Sequence, residues 1–252
     1  MIAAFCLRLA LGVLAPLMIL PLPILHSRFV RTQFLVALGL VAVAGVSGSM
    51  TDSPLHLAVL IATGLLALAG SVVWSLEPPP WGNAILHVNL VLLLTLVCRP
   101  IVTPADGQAM PHAILGAVDG VTSALLLGGA LTAMLVGHSY LISPGLSMLP
   151  LNRIFALLTT SLGLRAALSG FAWWLWSDGG ADHTVNADAT YWLPVRWLVG
   201  LGAPAGFTLM AWLTARIRST QSATGILYVV VICVFLGELI GLLLLRSTGL
   251  PL

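Results

Sequence analysis

The chain has 252 residues, of which 59% are hydrophobic and only 7% charged, with a formal net charge of +2. Soluble domains carry about 25% charged residues, so a soluble fold is excluded, and so weak a basic excess excludes nucleic acid as a partner. The three cysteines, Cys6, Cys98 and Cys233, form neither a CxxC pair nor a metal knuckle and read as small buried apolar residues.

A membrane-spanning helix needs about 20 mostly apolar residues. The first stretch of that kind is Ile2–Leu25. It lacks a basic region ahead of the apolar run and a small-residue cleavage site after it, so it reads as a retained span. Gln33–Gly48 follows as a short second span, then His56–Ser75, and then Trp81–Val102 after the Pro-rich EPPPWG break. The fifth span, His112–Leu141, ends in VGHSYLISPG, with His138 and Tyr140 just before a Pro-Gly pair. Arg153–Trp176, Tyr191–Ala215 and Ser222–Leu245 complete the set. The longest polar stretch, SDGGADHTVNADAT, is too small to fold alone. The expected fold is all-α: one integral membrane domain over 1–252, a polytopic bundle of about eight transmembrane helices.

Arginine placement in short loops sets orientation. One set of alternate loops holds Arg28 and Arg31, Glu77, Arg153, and Arg216 with Arg218. The other holds Asp52, Arg99 with Asp106, and Asp178, Asp182 and Asp188. The Arg-rich set is expected to face the cytoplasm, which puts both termini outside. A bacterial inner (cytoplasmic) membrane is the expected location.

A charge at the centre of a membrane helix costs about 2.5–3.5 kcal/mol on insertion scales. Arg8, Asp119, Arg165, Arg196 and Glu238 all fall inside spans, on the outer side of the middle or near it. Pairing Arg165 with Glu238 or Asp119 would offset most of that cost. Asp119 and Ser123 share a face of the fifth span, and Ser161, Arg165 and Ser169 a face of the sixth. Gly237 and Gly241 in GELIG form a GxxxG that permits close helix approach. Such a cluster either fixes helix register, carries protons or ions, or flanks a quinone pocket. In the last case Tyr191, Trp192 and Arg196 form the outer mouth, with Glu238 or Asp119 behind.

His87, in NAILHVN, and His138 are expected at similar depth near the cytoplasmic side. Two imidazoles facing each other across adjacent helices are a ligand set for a b-type haem, and Gly137 would let the macrocycle approach. The other reading makes His138 and Tyr140 interfacial anchors and gives His87 a backbone or Asn partner. No HExxH, GxSxG, P-loop or iron–sulfur Cys cluster is present. The chain is therefore not expected to be catalytic alone, and electrons would come from a partner subunit.

About eight spans in about 250 residues, with almost no mass outside the membrane, resemble the membrane-anchor subunits of respiratory molybdoenzymes, the NrfD/DmsC/PsrC type. The final span, STQSATGILYVVVICVFLGELIGLLLL, is similar in style to the last helix of those anchors, with a small-polar entry and a buried Glu in a GEL triplet. The resemblance implies a quinol site near the outer face, extrinsic iron–sulfur or cytochrome partners, and a quinone-site or proton-path role for Glu238. The family's pocket motif does not match residue by residue. The expected function is an integral membrane subunit of a respiratory complex that anchors extrinsic redox subunits and exchanges electrons with quinone. The alternatives are a small-solute or ion transporter, with Pro194, Pro204 and the Gly-rich breaks lining a path, and a structural scaffold that binds membrane lipid and partners.

Overall fold

The computed structural model describes residues 1–22, 24–47, 53–76, 81–102, 110–142, 147–178 and 187–251. Among the described residues all regular structure is helical. The helices are α1 (Ile2–Leu14, continued by a 3-10 turn over Ala15–Met18), α2 (Ser27–Val46), α3 (Pro54–Val73), α4 (Gly82–Val97), the single turn α5 (Arg99–Val102), α6 (Met110–Ile142), α7 (Leu149–Asp178), α8 (Ala187–Val195), α9 (Ala203–Arg216) and α10 (Thr220–Thr248). A π-helical segment, Arg196–Gly202, joins α8 to α9. Six helical runs are long and apolar enough to cross a membrane, and two more, Ile2–Met18 and Gly82–Val97, are apolar but shorter. The fold is a helical membrane bundle.

Proline sets several boundaries. Pro16 and the prolines beyond it stop α1 well short of Leu25, because a residue without an N–H cannot continue the ladder. Pro54 opens α3 at the first helical position, where its missing N–H costs nothing. Arg99-Pro100 breaks α4 from α5. The second span is not short: α2 begins at Ser27 and runs 20 residues, because Arg28, Arg31 and Gln33 are compatible with helix once their side chains reach the interface or a buried groove. The acidic residues Asp52, Glu77, Asp106 and Asp182, used above for orientation, lie outside the described residues, as does most of the SDGGADHTVNADAT stretch.

α6 is the central helix. In its most apolar window 72% of residues are buried, against 33–44% for the other long helices. It packs on α1, α7 and α10; α1 also packs on α2 and α4, and α3 lies between α2 and α4. The α1–α6 contact is backbone to backbone. A Cβ at Gly12 or Gly128 would overlap the facing main chain, at the Ala124 carbonyl and at Gly12 itself. Gly120, Ala124, Gly128 and Thr132 recur every fourth residue, so one stripe of α6 is thin enough for this approach. Several hydroxyls inside the bundle are satisfied within their own helices, as when Thr63 donates to the Val59 carbonyl at 2.7 Å and Ser161 to the Leu157 carbonyl at 2.7 Å. Asn89 of α4 reaches across to the Thr63 carbonyl of α3 at 3.2 Å.

Candidate functional site

The candidate site starts from the five in-span charges. At 1.5 Å per residue, Asp119 lies about 14 Å beyond the start of α6 at Met110, and Glu238 about 15 Å before the end of α10 at Thr248. Both therefore lie well inside their helices, away from either end. Arg196 and Glu238 are 0% exposed, and Arg165 and Asp119 1%.

Arg165 is the hub. From α7 its Nε donates to Glu238 Oε1 at 3.0 Å and its Nη2 to Glu238 Oε2 at 3.1 Å, a two-pronged grip, while Nη1 donates to Asp119 Oδ1. Arg8 of α1 takes the other Asp119 oxygen, Nη2 to Oδ2 at 2.7 Å. Arg196 Nη2 donates to Glu238 Oε1 at 2.9 Å, and Ser123 Oγ of α6 donates to Glu238 Oε2. The order is Arg8–Asp119–Arg165–Glu238–Arg196, across α1, α6, α7, α10 and the π-helical segment. Three arginines face two carboxylates, leaving one positive charge in excess. Glu238 accepts four hydrogen bonds and Asp119 two, so every carboxylate oxygen is engaged, but Arg8 Nη1 and Arg196 Nε and Nη1 are buried with no hydrogen-bond partner among the described residues.

The backbone around Arg196 explains its placement. Pro194 lies inside α8 and Pro204 at the start of α9, so two ladder donors are missing within eleven residues. The chain between widens to i→i−5 bonds, as in Ala203 N–H to the Leu198 carbonyl. Such widened turns are frequent at functional sites. Gly200 of this segment meets Gly237 of α10 backbone to backbone, and the Arg196 guanidinium lies along the same stripe: a Cβ at Gly241 would be 3.3 Å from its Nε. The GELIG glycines thus make the close approach that their spacing predicts.

An open groove of about 660 Å³ lies between α7 and the α9 side, its walls including Thr159, Leu162, Ala166, Leu201, Thr208 and Trp212. Ala166 follows Arg165 along α7, so the groove reaches the level of the charge network, but its walls do not include Arg165, Arg196, Asp119 or Glu238. It ends at Trp212, under the Arg216 guanidinium 4.9 Å from the ring centroid. The Thr208 hydroxyl is buried there without a partner among the described residues. The sequence carries a signal for this groove, the polar face Asn152, Thr159, Gly163 of an otherwise apolar span.

Of the predicted site residues, Asp119, Arg165, Arg196 and Glu238 come together, and Arg8 and Ser123 join them. Tyr191 and Trp192 do not: on α8 they are 74% and 40% exposed and face outward one turn or more from Arg196. His87 and His138 also lie in different surroundings. His87 is exposed on α4, its Nδ1 2.5 Å from the Asn83 carbonyl. His138 lines a pocket between α6 and α2 that does not include His87. Gly137 faces Thr224 of α10, where a Cβ would be 2.8 Å from Oγ1; it serves helix packing. Tyr140 Oη donates to the Ser147 carbonyl at 2.5 Å and ties the end of α6 to the approach to α7. Among the described residues no group of three or more His, Cys, Asp or Glu is placed to hold a metal ion. No family model, curated protein or solved structure matches the chain.

Proposed function

We propose that the chain is the integral membrane subunit of a quinone-linked electron-transfer complex, with eight spans, both termini on the outer face of a bacterial inner membrane, and extrinsic iron–sulfur or cytochrome partners. The observation that carries this reading is the charge network with its surplus of buried donors. A purely static clasp would be matched donor for acceptor, because an unpaired buried N–H costs free energy. Arg196 Nε and Nη1 and Arg8 Nη1 are left over, which suits a guest bearing carbonyl oxygens. The groove along α7, which reaches the level of the network, offers the other parts a quinone needs: an apolar slot and the hydroxyls of Thr159, Thr160 and Thr208. Glu238 is the proton-handling group of this reading and Arg196 the carbonyl donor. His87 does not line the pocket that His138 lines, and the quinone reading does not depend on a haem.

The test uses the complex purified with its partners. Glu238→Gln and Arg196→Ala are each expected to lower quinone-linked turnover by about tenfold or more, the loss of one charge-assisted contact, while partner stoichiometry stays intact. Full turnover in both variants would remove the basis of the proposal.

A second reading has an observation of its own. Both carboxylates are fully engaged, as in a clasp that fixes helix register. A scaffold of that kind predicts that the same substitutions disrupt assembly and leave turnover per assembled complex unchanged.

A further inference from the structure

A second polar site lies away from the charge network, at the end of the bundle where α2 begins and α6 ends. A pocket of about 370 Å³ opens between these helices. Its polar wall is His26, Arg28, Thr32, Gln33, His138 and Ser139. Phe29, Leu135 and Ile142 make the rest. No residue of this pocket belongs to the network described above.

Gln33 makes the pocket more than a basic patch. It is 0% exposed, it lines the cavity, and both its Nε2 and its Oε1 lack a hydrogen-bond partner among the described residues. An amide buried without partners is destabilising, and an apolar residue in its place would relieve that cost. The arrangement is economical only if a polar ligand completes it. Arg28, His26 and His138 are exposed at the mouth and offer guanidinium and imidazole N–H donors, the donor set for a phosphate. Gln33 is five residues further along α2 than Arg28, about 7.5 Å deeper at 1.5 Å per residue. On α6, Leu135 is three residues further in than His138, at a depth similar to that of Gln33.

We propose that this pocket binds an anionic glycerophospholipid. Its phosphodiester rests among Arg28, His26 and His138. The glycerol ester region, which lies below the phosphate, meets the Gln33 amide, and an acyl chain runs past Leu135. A pocket of basic residues between membrane helices at the headgroup level is a known form of lipid site. Charge at the mouth, with the Gln33 amide and Leu135 further in, matches the order of phosphate, then ester and chain. Inorganic phosphate could use only the first layer.

The experiment is a titration of the full chain, purified in neutral detergent, read by retention in native mass spectrometry and by thermal unfolding. The probes are phosphatidylglycerol, phosphatidylcholine and inorganic phosphate. Phosphatidylglycerol is expected to be retained and to raise the melting temperature; phosphatidylcholine and inorganic phosphate are not. Gln33→Leu and Arg28→Ala are expected to weaken retention of phosphatidylglycerol by about fivefold or more each. The lipid-free stability of Gln33→Leu is expected to equal or exceed that of the parent, so its loss of binding is not a loss of fold. His138→Ala, an exposed substitution, gives a second variant with the same expected weakening. Equal retention of phosphatidylcholine, equal stabilisation by inorganic phosphate, or undiminished binding in the variants would each overturn the assignment.

Discussion

Arg165 is a single side chain on which two carboxylates depend. Its planar fork grips Glu238 with Nε and Nη2 and reaches Asp119 with Nη1. Replacing it with leucine leaves Asp119 with Arg8 alone and Glu238 with Arg196 and Ser123, both deep in the bundle. Breaking a buried pair from one side typically costs about 3–5 kcal/mol. Arg165→Leu is therefore expected to lower the melting temperature of the purified protein sharply. Arg165→Lys is expected to recover only part of the loss, because a point-like ammonium cannot hold two carboxylates in the same forked geometry. An unshifted melting curve for Arg165→Leu would show that the network contributes nothing to stability. At this scale the sequence was informative about membership. A charge inside an apolar run is expensive enough to demand a partner, so Arg8, Asp119, Arg165, Arg196 and Glu238 stand out unaided. It was silent on the order of pairing, which depends on side chains meeting from five segments. Tyr191 and Trp192 show the reverse error: an aromatic pair next to a buried arginine in sequence faces outward in space.

At the scale of elements, two glycine contacts decide how the helices meet. Gly12 on Gly128 lets α1 lie against α6, and Gly200 on Gly237 lets the π-helical segment lie against α10. The second contact also brings Arg196 within reach of Glu238. Gly237→Leu would force the two backbones apart. Overpacking of this kind costs about 1–3 kcal/mol, and it should also break the 2.9 Å Arg196–Glu238 bond. The expected outcome is lower thermal stability together with loss of quinone-linked turnover, whereas Gly206→Ala, where no neighbour lies within 4 Å of an added Cβ, is expected to change neither. If Gly237→Leu melted and turned over like the parent protein, the close approach would have no part in building the site. The GxxxG spacing announced this contact, since glycine in a membrane helix has few reasons to recur every fourth residue. The widening at Arg196–Gly202 was foreshadowed by Pro194 and Pro204, but prolines alone do not say whether a helix kinks, breaks or widens.

For the whole molecule, the proposed topology makes a sharp prediction. In a variant whose three native cysteines are replaced, cysteine at Ser53 should react with a membrane-impermeant thiol reagent added outside intact cells. Cysteine at Ser27 should react only after the membrane is opened. The opposite pattern would reverse the bundle and place the lipid pocket at the outer leaflet. The network and the pocket at His26 and His138 sit at different levels of the same bundle, one well inside the helices and one where α2 begins and α6 ends.

The sequence by itself determined the class: so few charges and so many long apolar runs leave no other way to satisfy the backbone than helices in a bilayer. It also determined which charges needed partners, because the cost of an unpaired ion in lipid is a local property of the chain. Only the tertiary structure decided that Arg165 sits between both carboxylates, that His87 and His138 face different surroundings, and that Gln33 lies at the floor of a pocket. Those are relations between helices far apart in the chain. They are fixed by which small residues allow two backbones to touch, and a linear pattern marks such residues without naming the helix each one will meet.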